Sequence, residues 1–362
     1  VYFAVENAMR NFSANPGRGG HNLSMAAAEQ VFMAREALNE FFNGYGSELV
    51  SFTQNCTQAL NMAIKGIVKN GDHIVISCFE HNSVARPVYK LAQDGVAGFS
   101  IFNVYDDEEK TLENFKKAFK KNTKLCVVTA VSNVFGRILP IAKLSAIAHS
   151  KGALFVVDGA QGAGVIPIDM KKQGIDCLCV PGHKGLLGPM GTGAILHKNL
   201  DFNPVLLGGT GTASFDLVQP GAYPERLESG TLNVPGICGL KAGVDYIKKL
   251  GLDYVLQKES ELAAYTFDGL SNIKGVELYS KNCYPSYIAP VISFNVKNLH
   301  SERVAELLNV GGIAVRGGYH CAGLAHKYMG TQQKGTVRVS PSFYNTKKDI
   351  NILLNLTEKI AF

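Results

Sequence analysis

The chain has 362 residues, 46% of them hydrophobic and 18% charged, with a formal net charge of +6, no tryptophan and eight cysteines. That length exceeds what a single core usually serves, so two domains are expected. No clustered Lys/Arg run with interleaved aromatics points to nucleic acid, no stretch reaches the ~18 apolar residues that span a bilayer, and no basic-then-apolar leader opens the chain.

Residues 1–12 already read as helix interior, as though an opening element should precede them. Short apolar runs then alternate with helical periods. Strands are predicted at Leu49–Thr53, His73–Ser77, Lys124–Ala130, Ala153–Val157, Asp176–Val180 and Gly193–His197, and a helix at Thr57–Val68 with apolar residues at 60, 63, 64, 67 and 68. Several of these runs are apolar throughout, which suits strands covered on both faces. Strands interleaved with helices imply an α/β fold with a mostly parallel sheet. Lys116-Lys117 and Lys120-Lys121 read as a solvated helix face. The Gly-rich stretch 207–212 reads as a flexible loop.

From about Gly236 the character changes. Helices at Ile237–Leu250 and Asp253–Asn272 lead to strands at Pro290–Val296, Ile313–Arg316 and Thr336–Ser340, and a helix at Lys347–Ile360 follows. The expected organisation is a large domain over 13–250 and a smaller α+β domain over 251–362, with residues 1–12 packing against the smaller one. The cysteines, at 56, 78, 126, 177, 179, 238, 283 and 321, show no framework spacing, and several sit in apolar runs. This suits reduced thiols in a cytoplasmic protein. Cys177-x-Cys179 lacks the second pair that a zinc site needs, so no metal is expected.

Four segments carry chemistry. Gly182-His183-Lys184-Gly185 follows the strand Asp176–Val180, and an amine at a buried strand end has a lowered pKa and can condense with an aldehyde. Alone, it is equally a polar turn. The strand at 153–157 runs into Asp158, at the carboxyl end where open α/β sheets bind ligands. A buried aspartate needs a cation, and a pyridinium nitrogen is one. Asn55-Cys56-Thr57-Gln58 opens a helix whose free N–H groups suit a phosphate, although Thr57 is also an ordinary cap. His81 follows a strand end in the same way and could stack on a planar ring and move protons.

Together with Arg18-Gly19-Gly20-His21, Ser132 to Gly136, Glu228-Ser229-Gly230-Thr231 and the segment Arg316 to Cys321, these motifs resemble the class V aminotransferase family of fold-type I pyridoxal phosphate (PLP) enzymes. The likeness is narrower still to the cysteine desulfurases of the type II, short-loop group. It implies that Lys184 holds PLP as a Schiff base and later shuttles protons. Asp158 would pair with the pyridine nitrogen, Gln161 would bond the ring oxygen, and His81 would lie over the ring. Asn133 would stand near the substrate and the ring oxygen. Thr57 and His183 would hold the phosphate, with Cys56 replacing a common threonine beside Thr57 and Pro181 replacing a frequent hydroxyl residue. Thr231 would reach the phosphate of a neighbouring subunit, which implies a homodimer. The family's opening segment, with its Asn-Ala-Ala-Thr-like motif, is not in this sequence.

Val315-Arg316-Gly317-Gly318-Tyr319-His320-Cys321-Ala322 bears on the reaction. The resemblance makes Cys321 the sulfur-accepting nucleophile. Arg316, His320 and Arg338 offer an electropositive setting of the kind that lowers a thiol pKa. Arg338 would clamp the substrate carboxylate through its bidentate fork, with Arg316 and Asn133 also on the substrate side. The expected reaction converts L-cysteine to L-alanine and leaves a persulfide for a protein or small-thiol acceptor. Selenocysteine lyase, or another class V transaminase or carbon–sulfur lyase, is the alternative. Neither GxGxxG after a strand nor GxxxxGK[ST] is present, which speaks against a nucleotide enzyme.

Overall fold

A computed structural model describes residues 1–17, 19–212, 214–280 and 286–362. Arg18 of the Arg18–His21 motif and Cys283 lie outside the described residues. The chain divides into two compact units. The first comprises residues 1–77, 83–130 and 140–250, and the second 78–82, 131–139 and 251–362.

Through the first unit run α1 (Tyr2–Asn11), α2 (Asn22–Phe41), β1 (Val50–Thr53), α3 (Cys56–Ile67), β2 (Asp72–Ser77), α4 (Asn82–Gln93) and β3 (Ala97–Phe102). They are followed by α5 (Glu108–Lys117), β4 (Thr123–Thr129), α6 (Ile141–Ser150), β5 (Leu154–Asp158), β6 (Cys177–Pro181), β7 (Gly193–His197) and α7 (Val234–Leu250). The seven strands form one sheet in the order β1-β7-β6-β5-β4-β2-β3. Only β7 runs against its neighbours; the pairs from β6 to β3 are parallel. Every residue of β6 and β7 is buried, as strands covered on both faces require. That burial explains why their sequences are apolar without alternation.

In the second unit are α8 (Leu252–Ser271), β8 (Val276–Leu278), β9 (Ile292–Val296), α9 (Ser301–Val310), α10 (Gly323–Met329), β10 (Val337–Val339) and α11 (Lys347–Ala361). The strands make an antiparallel sheet, β10-β9-β8. Ile292, Phe294 and Val296 from β9 join Leu270, Val304, Leu308 and Leu353 in one core, so the helices α8, α9 and α11 bury their apolar faces on this sheet.

The structure departs from the sequence reading in several places: α9 and α10 were not expected, and α5 ends at Lys117, so Lys120 and Lys121 lie beyond the helix whose face they were expected to share. β3 and β8 were not expected. β3 is an edge strand with buried ends and a half-exposed middle, so it lacks an apolar run. Ile313–Arg316 is not a strand: only Arg316 bridges, through paired backbone bonds with Arg338. The two units are not continuous stretches, because residues 78–82 and 131–139 join the second. Finally, α1 packs on α7 of the first unit rather than on the smaller domain, with Ala8 fully buried. No helix or strand occurs among the described residues of 198–233, where the Gly-rich loop falls. No described helix is long and apolar enough to cross a membrane.

Candidate active site

The parallel strands of the first unit bring their carboxyl ends together. β5 ends on Asp158, which is level with Thr129 of β4 and Cys179 of β6. The carboxylate is 1% exposed. Its Oδ1 accepts the Ala160 N–H at 2.9 Å and faces the Cys56 thiol at 3.5 Å. Cys56 opens α3, so the helix start is set directly beside this strand end. Burial raises the Cys56 pKa well above its ordinary value, and the Asp158 charge raises it further, while the Lys184 charge works the other way. The sulfur is therefore a protonated donor to the carboxylate, not a thiolate.

Asn55 caps α3 by accepting the Gln58 N–H on Oδ1 at 2.9 Å. The first-turn N–H groups of Cys56 and Thr57 have no intrahelical partner by helix geometry. With the exposed Thr57 hydroxyl they form a donor set for an anion.

Lys184 follows β6 in a turn built on close backbone approach. A Cβ at Gly182 would meet Thr192 Oγ1 at 2.0 Å, and one at Gly185 would meet the Ala163 carbonyl at 2.4 Å. Glycine at these two positions fixes the turn. β6 is buried throughout, and Lys184 itself is exposed in the turn that follows it. Its charge is felt by both Cys56 and His183, whose pKa is lowered by partial burial first and by Lys184 second. Lys184, His183, Cys56 and Asp158 thus form one electrostatic cluster. Gln161 is half-buried in the turn after Asp158, and Thr231 is exposed on a recess shared with Gln58, Thr192 and Asn233.

A second group of expected residues falls in the second unit. Cys321 is exposed, in contrast to the other described cysteines, and Arg316 Nη2 points at its sulfur from 3.9 Å. Arg338 donates through Nη1 to the Asn133 carbonyl at 2.8 Å. Burial, then the Arg316 charge, presses the Arg338 pKa down to about 10, so it stays cationic at neutral pH. Two guanidiniums that repel each other in this way would be relieved by an anion between them. Asn133 Nδ2 donates to the His320 carbonyl at 2.7 Å, and its buried Oδ1 has no partner among the described residues. His81 is half-buried immediately ahead of Asn82, whose N–H donates to the Cys321 carbonyl at 2.7 Å.

One expectation is corrected here. Burial, with Arg338 next, lowers the His320 pKa to about 3, so His320 adds no positive charge beside Cys321. Arg316 and Arg338 supply the positive charge in this group of residues. Glu228 of the Glu228–Thr231 motif is structural: it forms a two-pronged pair with Arg35 at 2.7 and 2.6 Å, and it accepts the Phe52 N–H. Asn82 and Thr336, which brace the Cys321 segment, carried no sequence signal: Asn82 acts through its backbone N–H, and Thr336 meets the His320 ring through its backbone carbonyl at 2.9 Å as well as its hydroxyl at 3.2 Å.

The chain matches the Aminotransferase class-V family model over residues 1–353. It is 34% identical to a probable cysteine desulfurase of Methanothermobacter thermautotrophicus, an alignment covering 100% of this chain and 91% of that protein. The apo structure of a cysteine desulfurase from Thermococcus onnurineus superposes with a TM-score of 0.91 at 34% identity, covering 99% of this chain and 90% of that one. The Escherichia coli cysteine desulfurase CsdA, in an S-sulfonic acid form, gives 0.87 at 27%, covering 99% and 91%. The mostly parallel seven-strand sheet, with a buried aspartate and a lysine turn at its strand ends, defines a PLP-dependent enzyme of fold type I. The chain belongs to the class V aminotransferase family.

The first unit fits that cofactor on its own geometry. A buried carboxylate suits a protonated ring nitrogen, an accessible amine suits an aldehyde, and a helix N-terminus with a hydroxyl suits a phosphate.

Proposed function

We propose that this chain is a cysteine desulfurase that converts L-cysteine to L-alanine and keeps the sulfur on Cys321. The observation that carries this reading is the exposed Cys321 thiol, with Arg316 at 3.9 Å and Arg338 joined to Arg316 through the backbone bridge. PLP bound at Lys184 supplies a sink for the electrons of the substrate Cα–H bond.

The residues divide the work. Asp158 keeps a ring nitrogen protonated, and Cys56 and Ala160 hold the carboxylate in place from one side. Thr57, His183 and the start of α3 bind the phosphate. Lys184 holds the cofactor, then accepts the Cα proton and returns it. Gln161 and His81 orient the ring, and Arg338 binds the substrate carboxylate with Arg316 and Asn133 beside it. Cys321 then attacks the substrate sulfur: an S–S bond forms as the C–S bond breaks. The electron pair and a proton pass to carbon, so cysteine plus thiol gives alanine plus persulfide. A protein or small thiol takes the sulfur away.

Exposed apolar side chains on 205–218, with Leu207, Phe215, Leu217 and Val218 each more than 70% exposed, support a homodimer in which Thr231 serves the neighbour's phosphate. The seven described cysteines are unbridged, in keeping with a cytoplasmic setting.

Cys321→Ser tests the assignment. It should lose cysteine desulfuration by orders of magnitude while still exchanging the substrate Cα proton, since serine cannot form a persulfide. Mass spectrometry of wild type with cysteine and no reductant should find added sulfur on the Cys321 peptide. Full cysteine activity in the serine variant would overturn the reading; activity retained on selenocysteine alone would redirect it to a selenocysteine lyase.

A further inference from the structure

Cys321 and the residue before it share an unusual backbone. His320 has φ +50° and Cys321 φ +56°, so two consecutive non-glycine residues occupy the left-handed region. Single L residues visit it rarely, and such a conformation persists only where the surroundings over-determine it.

The surroundings here are specific. The His320 carbonyl takes Asn133 Nδ2–H at 2.7 Å, and the Cys321 carbonyl takes the Asn82 N–H at 2.7 Å. Asn133 is itself tied by Arg338. The His320 ring is 2% exposed, and its Nε2 lies 2.9 Å from the Thr336 carbonyl oxygen. A carbonyl only accepts, so Nε2 carries the proton and the ring is the neutral Nε2–H form. Thr336 in turn donates its N–H to the Gly318 carbonyl at 3.0 Å, which closes the loop onto itself. The far face of the ring stacks on His326, with centroids 5.9 Å apart and planes at 27°. Nδ1 is buried with no partner among the described residues.

We propose that His320 is the positioning residue of the sulfur-transfer step: its Nε2–H bond to Thr336 locks the 320–321 elbow and holds the Cys321 thiol in one place. The proposal rests on the reading of Cys321 as the sulfur acceptor. His320 does not carry protons in the reaction. Its ring is sealed from solvent, and its low basicity leaves it neutral throughout the working pH range. A planar ring on a short stem reaches the carbonyl with few rotors and adds no charge beside Arg316 and Arg338. An uncharged donor of similar reach should replace it in part; an apolar side chain should not.

The test compares holoenzyme variants His320→Leu, His320→Gly and His320→Gln. In Gly the left-handed φ is unstrained, so that variant carries the test should Leu fail to fold. Three quantities are read: persulfide on Cys321 in a single turnover, solvent exchange of the substrate Cα proton, and KM for cysteine. Leu and Gly should slow persulfide formation by on the order of 10–100-fold, as expected for a nucleophile displaced by about an ångström, with Cα exchange and KM unchanged. Gln should recover much of the rate. Wild-type persulfide rates in both Leu and Gly would overturn the proposal, and so would a parallel fall in Cα exchange, which marks general collapse of the site. Loss of a titration near neutral pH in the Gln variant would also overturn it, by making His320 an acid–base group. An absence of sulfur on Cys321 in the wild type would instead refute the underlying desulfurase reading.

Discussion

Cys56 Sγ lies 3.5 Å from Oδ1 of Asp158, a thiol set against a carboxylate that is itself sealed from solvent. The thiol has a second acceptor in the Cys179 carbonyl at 3.4 Å. Burial and the neighbouring negative charge both oppose its ionisation. Cys321, by contrast, is exposed next to a guanidinium.

Alkylation of the native protein should therefore be selective. Iodoacetamide should label Cys321 first, and Cys56 should stay unlabelled as the pH is raised to about 9, because its thiolate fraction remains small and the sulfur is shielded. Peptide mapping after timed quenching reads the order. Labelling of Cys56 at a rate like that of Cys321 would contradict the buried donor assigned to it.

Lys184→Ala should remove two signals at once. Borohydride should no longer fix PLP to the protein, since the amine proposed to condense with the aldehyde is gone. In the apoprotein the His183 pKa should rise toward its ordinary value, because one of the two causes that lower it is the Lys184 charge. An NMR titration of His183 reads this without any cofactor. An unchanged His183 titration would separate the two side chains in solution.

Arg35 and Glu228 form a buried pair, their side chains 8% and 7% exposed, with further bonds to the Val50 carbonyl and from the Phe52 N–H. Arg35→Met leaves a carboxylate buried without its cation and should cost about 3–5 kcal/mol in denaturant unfolding. Adding Glu228→Gln keeps an acceptor for Phe52 and removes the stranded charge, so the double variant should recover most of the loss. Additive losses would mean that the pair is not coupled.

Acid should destabilise the first unit through His197. Its Nδ1 accepts the Leu200 N–H, and burial, with Arg226 next, lowers its pKa from 6.5 to about 4. The folded state therefore keeps the ring neutral while the unfolded chain takes up a proton below about pH 6.5. Stability is full above that pH and falls as the pH drops toward 4, by up to about 1.4 kcal/mol per pH unit from this group. His197→Asn keeps an acceptor for Leu200 and does not titrate. Its unfolding free energy should depend less steeply on pH between 6.5 and 4; an identical slope would remove His197 from the acid response.

The sequence by itself determined the inner strands, and it drew attention to the two residues proposed here for the cofactor, Asp158 and Lys184. Strands β2 and β4 to β7 are near-continuous apolar runs because both faces are covered, and burial acts on each run locally. Asp158 and Lys184 were legible for the same reason, as polar residues placed where such runs stop. The tertiary structure decided what depends on closure between distant segments. Arg35 meets Glu228 across 193 positions, and Asn133 meets His320 across 187. No local period encodes either pairing. Edge strand β3 stayed hidden because half of its surface is wet. The left-handed backbone at His320 and Cys321 leaves no trace in residue type, since neither is glycine; hydrogen bonds from Asn133, Asn82 and His320 impose it once the chain has folded.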